Sequence, residues 1–397
     1  MYSQKRRIHF NYAAREREYK RKRTLIVLGL LCLGLAVFCA LFFSGKLLPE
    51  NRKAPPEEPL AETVIEEEPV LPPVKVRGIY VTAWYAGQKD DLKRFIDICE
   101  ATEINALVID IKDERGQLTT GLDLALLKNY GIYTIARLVC FKDNAWGAEN
   151  PEAAIQNKRG APWKDNNGII WLNPYNRKSW DHIVSIAKEA ARAGFDEIQL
   201  DYVRFPSDGR LNDIDYGSAG EEKTKAEVID EFIAYTRAAL AEEGAKLSAD
   251  IFGITVINKG DRENIGQDME LIMKNADYIC PMIYPSHYAN KRQNGTGQVI
   301  NGILFEAPDL KPYEVVYNSL VLMKERMPDD GENAVVRPYL QDFTASYLGA
   351  GYYQHYGAEQ VREQIKAVYD AGFDEWILWN SSCVYSVDAF RQKRGGL

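Results

Sequence analysis

From Val76 onward, short apolar runs alternate with longer stretches in which apolar residues recur every three or four positions. The short runs predict strands over Val76–Trp84, Asn105–Lys112, Tyr133–Cys140, Asp196–Arg204, Lys246–Gly253, Asp277–Tyr284, Val335–Asp342 and Glu375–Asn380. The longer stretches predict amphipathic helices, most clearly Asp90–Ala101, Arg177–Ala193, Glu222–Glu243 and Ala358–Ala371. A glycine follows the helical pattern in both "ARAGFDEIQL" and "YDAGFDEWIL", where a helix must stop before a strand. Eight strand–helix alternations predict a closed (β/α)8 TIM barrel over residues 76–397. An open doubly wound sheet is the alternative, but no Gly-rich phosphate fingerprint follows an early strand. Between strands two and three, only Gly121 to Tyr130 is available for a helix, so that segment is short.

Upstream the pattern is different. Thr24 to Phe43 is an uncharged apolar run, TLIVLGLLCLGLAVFCALFF, preceded by Lys20-Arg21-Lys22-Arg23. At about 1.5 Å per residue it would span roughly 30 Å, the hydrocarbon thickness of a bilayer. The expectation is therefore a single transmembrane helix over residues 24–43, with residues 1–23 a basic cytoplasmic tail and the barrel extracytoplasmic at the cell membrane. A cleaved signal peptide is the competing reading, but the run is long for one and no clean small-x-small site follows. Residues 44–75, with Pro55-Pro56-Glu57-Glu58-Pro59, Glu66-Glu67-Glu68-Pro69 and Pro72-Pro73, read as a disordered, semi-stiff Pro/Glu linker.

The chain carries a net charge of −8, unevenly distributed: the first 23 residues are basic and the remainder acidic. An acidic body argues against nucleic acid as a partner, because phosphate binding requires a positive surface. Cys32 and Cys39 lie in the apolar run, and Cys99, Cys140, Cys280 and Cys383 are widely separated. Without C-x-x-C spacing they read as free thiols rather than a zinc or redox site. Four histidines without an H-x-x-x-H pair argue against a metal site, no cofactor is expected, and the absence of G-x-S-x-G argues against a serine hydrolase.

In a TIM barrel the active site forms at the C-terminal ends of the strands. In strand four, Glu197-Ile198-Gln199-Leu200-Asp201, period-two alternation sets Gln199 and Asp201 opposite Ile198 and Leu200, with Asp201 near the barrel mouth. Strand five repeats the pattern, with Asp250 on the polar face. Two carboxylates on neighbouring strand ends suit glycoside hydrolysis, in which one protonates the leaving oxygen and the other attacks or activates water. Either could instead be a structural ion-pair partner. Asp110 ends strand two and could assist or pair with Lys112 or Arg137. Asp342 and Gln341 fall on opposite parities, so only one of them faces the mouth. Trp84, Tyr284, Trp379 and the loop from Phe141 to Tyr175 (Trp146, Trp163, Trp171, Tyr175) supply flat faces that suit sugar rings, although Trp is also common in cores. His287, Arg204, Gln341 and Asn380 complete the candidate substrate-binding set.

The segments "VRGIYVTAW", "NALVIDIKDERG", "FDEIQLDYVRFPSDG", "SADIFG", "YICPMIYPSHY", "VRPYLQDF" and "WILWN" resemble, in collinear order over about residues 76–385, a glycoside hydrolase family first described as a domain of unknown function (DUF4015-like). The resemblance implies a TIM barrel akin to α-amylase-like glycosidases, with Asp201 as nucleophile and Asp250 as acid. Two departures stand out. Gln117 to Tyr130 is shorter than the family pattern. Amylase-like enzymes also carry Arg where this chain has Gln199, and usually a Glu acid at strand five. The chitinase-type D-x-x-D-x-D-x-E pattern is absent, with Val203 where its acid would stand. The expected function is hydrolysis of a cell-wall or extracellular polysaccharide; the alternative is a catalytically inactive barrel that binds glycans or acts as an envelope scaffold.

Overall fold

The computed structural model describes residues 74–328 and 333–393. Eight parallel strands follow one another around a closed barrel: β1 (Arg77–Val81), β2 (Ala106–Lys112), β3 (Tyr133–Val139), β4 (Glu197–Asp201), β5 (Lys246–Phe252), β6 (Tyr278–Met282), β7 in two pieces (Val335–Val336 and Tyr339–Gln341) and β8 (Trp376–Trp379). Pairing of Gly78 with Ile377 joins β8 to β1, and pairing of Asp250 with Cys280 joins β5 to β6, so no edge is left open. The break in β7 falls at Arg337-Pro338, where proline has no N–H for the ladder. The first piece pairs with β6 and the second mainly with β8.

The outer layer holds α1 (Lys89–Ala101), α2 (Leu124–Asn129), α3 (Arg177–Ala193), α4 (Lys225–Ala241), α5 (Met269–Asn275), α6 (Pro312–Arg326) and α7 (Ala358–Asp370). The short α2 is the segment that the sequence left with little room. Helix α3 stops at Gly194, whose φ of 106° is left-handed and favours glycine. Helix α4 begins later than the periodicity predicts because Thr224 caps it. The Thr224 hydroxyl accepts from the Glu227 N–H at 3.3 Å, and the Glu227 carboxylate accepts from the Thr224 N–H at 2.8 Å. Thr224→Ala is expected to cost about 1 kcal/mol of stability, read as a shift in the urea midpoint with unchanged slope.

Strand β4 is shorter than expected. It ends at Asp201 because Tyr202 takes a left-handed backbone, φ 50°, which no strand accommodates. Inside the barrel, alternate residues stack in polar as well as apolar layers. At the N-terminal floor, fully buried Arg337 donates to both carboxylate oxygens of Glu197, at 2.8 and 2.9 Å, and to Glu375 at 2.8 Å. Above it, the Tyr339 hydroxyl donates to Gln199. Cys99, Cys140, Cys280 and Cys383 are buried free thiols.

The membrane location expected from the sequence is corrected here. Among the described residues no helix is long and apolar enough to cross a membrane. The physical reason is plain in α3 and α4. Each has 17 residues, about 25 Å, and each carries charged residues every few positions on its outer face. Residues 24–43, the tail before them and most of the linker after them, on which the expected single-pass topology, cytoplasmic N-terminus and extracytoplasmic barrel rest, lie outside the described residues.

Candidate active site at the barrel mouth

Residues from the C-terminal parts of β3 through β8 surround a cavity of about 430 Å³. Asp201 and Asp250 both line it. They come from adjacent strands whose register runs through Leu200 and Ala249, one residue short of the two carboxylates. Alternation therefore carries both side chains to the same inner face, as the sequence pattern implies.

The two carboxylates have different surroundings. Asp201 is ion-paired. Arg137, on β3, donates from Nε to Asp201 Oδ2 at 3.0 Å, and a second guanidinium nitrogen reaches the same oxygen. The other oxygen accepts from the Tyr202 N–H, a bond that the left-handed turn at Tyr202 makes possible. Asp250 has no such support. It is 1% exposed, and its Oδ1 is buried without a hydrogen-bond partner. Burial, and after it the Asp201 carboxylate, push the Asp250 pKa well above the ordinary carboxylate range, against the opposing pull of Arg137. The strand end itself is fixed by Gln267, which donates to the Asp250 carbonyl at 3.0 Å and accepts from the Phe252 N–H at 2.9 Å.

Arg137 is the hub of the site. It also donates to Asp110, whose second oxygen accepts from the Tyr80 hydroxyl. Burial disfavours the Arg137 charge, but the Asp110 and Asp201 carboxylates outweigh it and raise its pKa. Asp110, lying behind the guanidinium rather than along the cavity, has its pKa raised by burial, with Arg137 and Tyr80 pulling it back. Lys112, the other partner considered for it, is bound instead to Asp143 at 3.0 Å. The sequence treated Arg137 only as a possible partner of Asp110. The available signal was one charged residue inside the apolar strand "YTIARLV". In register Arg137 stands beside Gln199.

Of the remaining candidates, Arg204, Tyr284, His287 and Trp379 line the cavity. Tyr284 and Trp379 pack at 5.9 Å between ring centroids and form one wall. Burial lowers the His287 pKa, so its imidazole is neutral at pH 7 and able to donate or accept a hydrogen bond. Arg204 is likewise buried, with its pKa lowered by desolvation. Trp84, Gln341 and Asn380 do not line the cavity. Trp84 is 70% exposed because Thr82 caps a short helix, Ala83–Ala86, that turns the indole to solvent. The Gln341 amide is used up between the Ser286 N–H at 3.1 Å and Asp309 at 2.9 Å, tying the loop after β6 to β7. Asn380 holds its own loop through the Val384 carbonyl and the Ser382 N–H. The loop aromatics do not line the cavity themselves, although Trp171 packs against Tyr202 and Arg204, which do. Trp163 and Trp171 are buried and donate to the Arg210 carbonyl and Asp165, and Trp146 stacks on His182 at 4.2 Å.

One wall admits no extra atom. A Cβ on Gly253 would lie 2.5 Å from the Met282 carbonyl oxygen and 2.8 Å from the Tyr288 hydroxyl. Gly253→Ala is expected to displace the β5–β6 side of the mouth and cost about 1–3 kcal/mol, measured by urea denaturation.

The sequence profile of the family described as "Putative glycosyl hydrolase domain" matches residues 78–125 and 120–385. The chain belongs to this glycosyl hydrolase family. The two matched segments overlap at residues 120–125. The PgaB (BpsB) glycoside hydrolase domain from Bordetella bronchiseptica is similar in fold, with a TM-score of 0.56 and 15% identity over 81% of this chain and 100% of that one. A hypothetical protein from Ruminiclostridium thermocellum is 38% identical over 43% of this chain and 96% of its own, with a TM-score of 0.40. The spore cortex-lytic enzyme SleL from Bacillus megaterium is 11% identical over 80% of this chain and 74% of its own, with a TM-score of 0.48. No curated protein matches the chain.

Proposed function

We propose that this glycosyl hydrolase domain cleaves an O-glycosidic bond of a polysaccharide at the barrel mouth, with Asp250 as the acid and Asp201 as the nucleophile. The observation that carries the reading is the contrast between the two carboxyls on neighbouring strands. An acid must hold its proton near neutral pH, and the buried, unpartnered Asp250 carboxyl favours the protonated form. A nucleophile must be ionised and aimed, and Arg137 with the Tyr202 N–H holds the Asp201 carboxylate in one orientation. Asp250 gives its proton to the leaving glycosidic oxygen as an Asp201 oxygen bonds to the anomeric carbon. A water molecule then attacks that carbon, losing its proton to Asp250 and releasing Asp201. Tyr284 and Trp379 offer faces for the apolar side of a sugar ring.

The test is turnover of a polysaccharide panel by the full chain, with the first-formed anomer followed by proton NMR. Retention supports the roles given. Inversion would make Asp201 the base that activates water. Glycan binding without turnover on any member would leave a binding barrel in place of the enzyme.

A further inference from the structure

No carboxylate among the described residues pairs directly with Arg204, although Asp201, Asp208 and Asp165 act on it from farther off. Arg204 is 7% exposed and lines the cavity. Among the described residues no carboxylate oxygen lies within 4.0 Å of it. One of its nitrogens donates to the Phe205 carbonyl at 2.8 Å. Three aromatic rings surround the guanidinium, with centroids 4.5 Å away at Phe252, 5.0 Å at Trp171 and 5.1 Å at Tyr202. The nearby acids are engaged elsewhere. Asp201 is held by Arg137, Asp165 by Lys142 at 3.0 Å and the Trp171 indole at 3.2 Å, and Asp208 lies beside the Asn166 N–H.

A buried, always-ionised guanidinium without a carboxylate is costly, and cation–π contacts recover only part of that cost. The arrangement makes sense if the countercharge arrives with the ligand. The geometry points to Arg204 as the anchor of a subsite for a sugar bearing a carboxylate, which makes the substrate an acidic glycan; this rests on the mouth being the glycan site proposed above. A carboxylate is planar and singly charged, which matches the guanidinium fork. A doubly charged phosphate would be repelled more strongly than a carboxylate by Asp201, whose charge reaches Arg204. The carboxylate could belong to a uronic acid ring or to an acid carried on an ether substituent, and the two place it differently on the sugar.

The experiment uses the full chain and three matched pairs of small probes: glucuronate with glucose, galacturonate with galactose, and N-acetylmuramate with N-acetylglucosamine. Binding is measured by ligand-observed NMR. In at least one pair the carboxylated member is expected to bind at least about tenfold tighter, and high salt should erode the preference. The pair that shows it tells ring acid from ether acid. In Arg204→Met, whose stem suits the aromatic surroundings, the preference should fall to within about twofold, while Arg204→Lys keeps part of it. If Arg204→Met does not fold, Arg204→Lys and the wild-type pairs decide. Equal binding within every pair, or a preference that survives the loss of Arg204, overturns the proposal. Binding is read without turnover, so the two readings fail separately. A chain that prefers carboxylates but hydrolyses nothing removes the enzyme reading alone. One that hydrolyses neutral glycans without any preference removes only this inference.

Discussion

Asp250→Asn is expected to abolish hydrolysis, lowering kcat by about 10³-fold, and yet to make the protein more stable at neutral pH. The two effects have one cause. Burial raises the Asp250 pKa above the value of about 3.9 that an aspartate has in an unfolded chain. The folded state therefore holds this proton more tightly than the unfolded state does. The stability that this contributes is fully present below about pH 4 and is lost as the pH rises towards the folded pKa. Asparagine has nearly the same shape and cannot ionise. Its advantage over the wild type should be absent near pH 4 and grow above it. Asp201→Asn should be equally inactive but shift stability the other way, by about 1.5–3 kcal/mol, because it removes the charge that answers Arg137. Melting curves of both variants at pH 4 and pH 7, beside initial rates on a hydrolysed glycan, check the pair. Equal stability shifts of the same sign would show that the two carboxyls do not occupy the contrasting environments assigned to them. Full activity in either variant would remove that residue from the mechanism.

The barrel could be read from the sequence because its strands and helices obey local rules. Period-two alternation in "EIQLD" placed Asp201 on the inner face, and the matching pattern in "LSADI" did the same for Asp250. Gly194 ended its helix where the sequence implied. What escaped was set by contacts between strands or by loop geometry. Arg137 becomes central only when β3 lies against β4 and brings its guanidinium to Asp201 and Asp110 together. Tyr202's left-handed backbone, which ends β4 early, has no signature in a non-glycine residue. Trp84 looked like a mouth residue because it ends the first expected strand, but β1 stops at Val81 and a hydroxyl cap on a short helix points the indole outward. Gln341 ends β7 and Asn380 follows β8, and their amides bind loop backbone and, for Gln341, Asp309, a use that only the hydrogen-bond partners reveal. Trp163 and Trp171 pack against the segment after β4, at Arg210, Tyr202 and Arg204, a pairing of two loops that the spacing of residues within one loop cannot show.

Arg137→Met is the substitution expected to damage the site most broadly. It leaves Asp110 and Asp201 facing each other in a largely buried space without the one positive charge between them. Breaking a buried charge network by removing one partner costs about 3–5 kcal/mol. The cost should depend on pH in a defined direction. Burial already raises the Asp110 pKa, and the guanidinium is the main force opposing that rise. Without it the folded state binds protons more strongly still, so the variant is least impaired near pH 4 and loses stability as the pH rises. The gap in urea midpoint between wild type and Arg137→Met should therefore widen from pH 4 to pH 7. Arg137→Lys should narrow the gap but not restore hydrolysis, because an ammonium group is a point charge and cannot span both carboxylates as the planar fork does. A gap that is the same at both pH values would show that the arginine contributes packing rather than charge. A fully active Arg137→Lys would show that Asp201 needs a positive neighbour but not the two-nitrogen clamp that orients it.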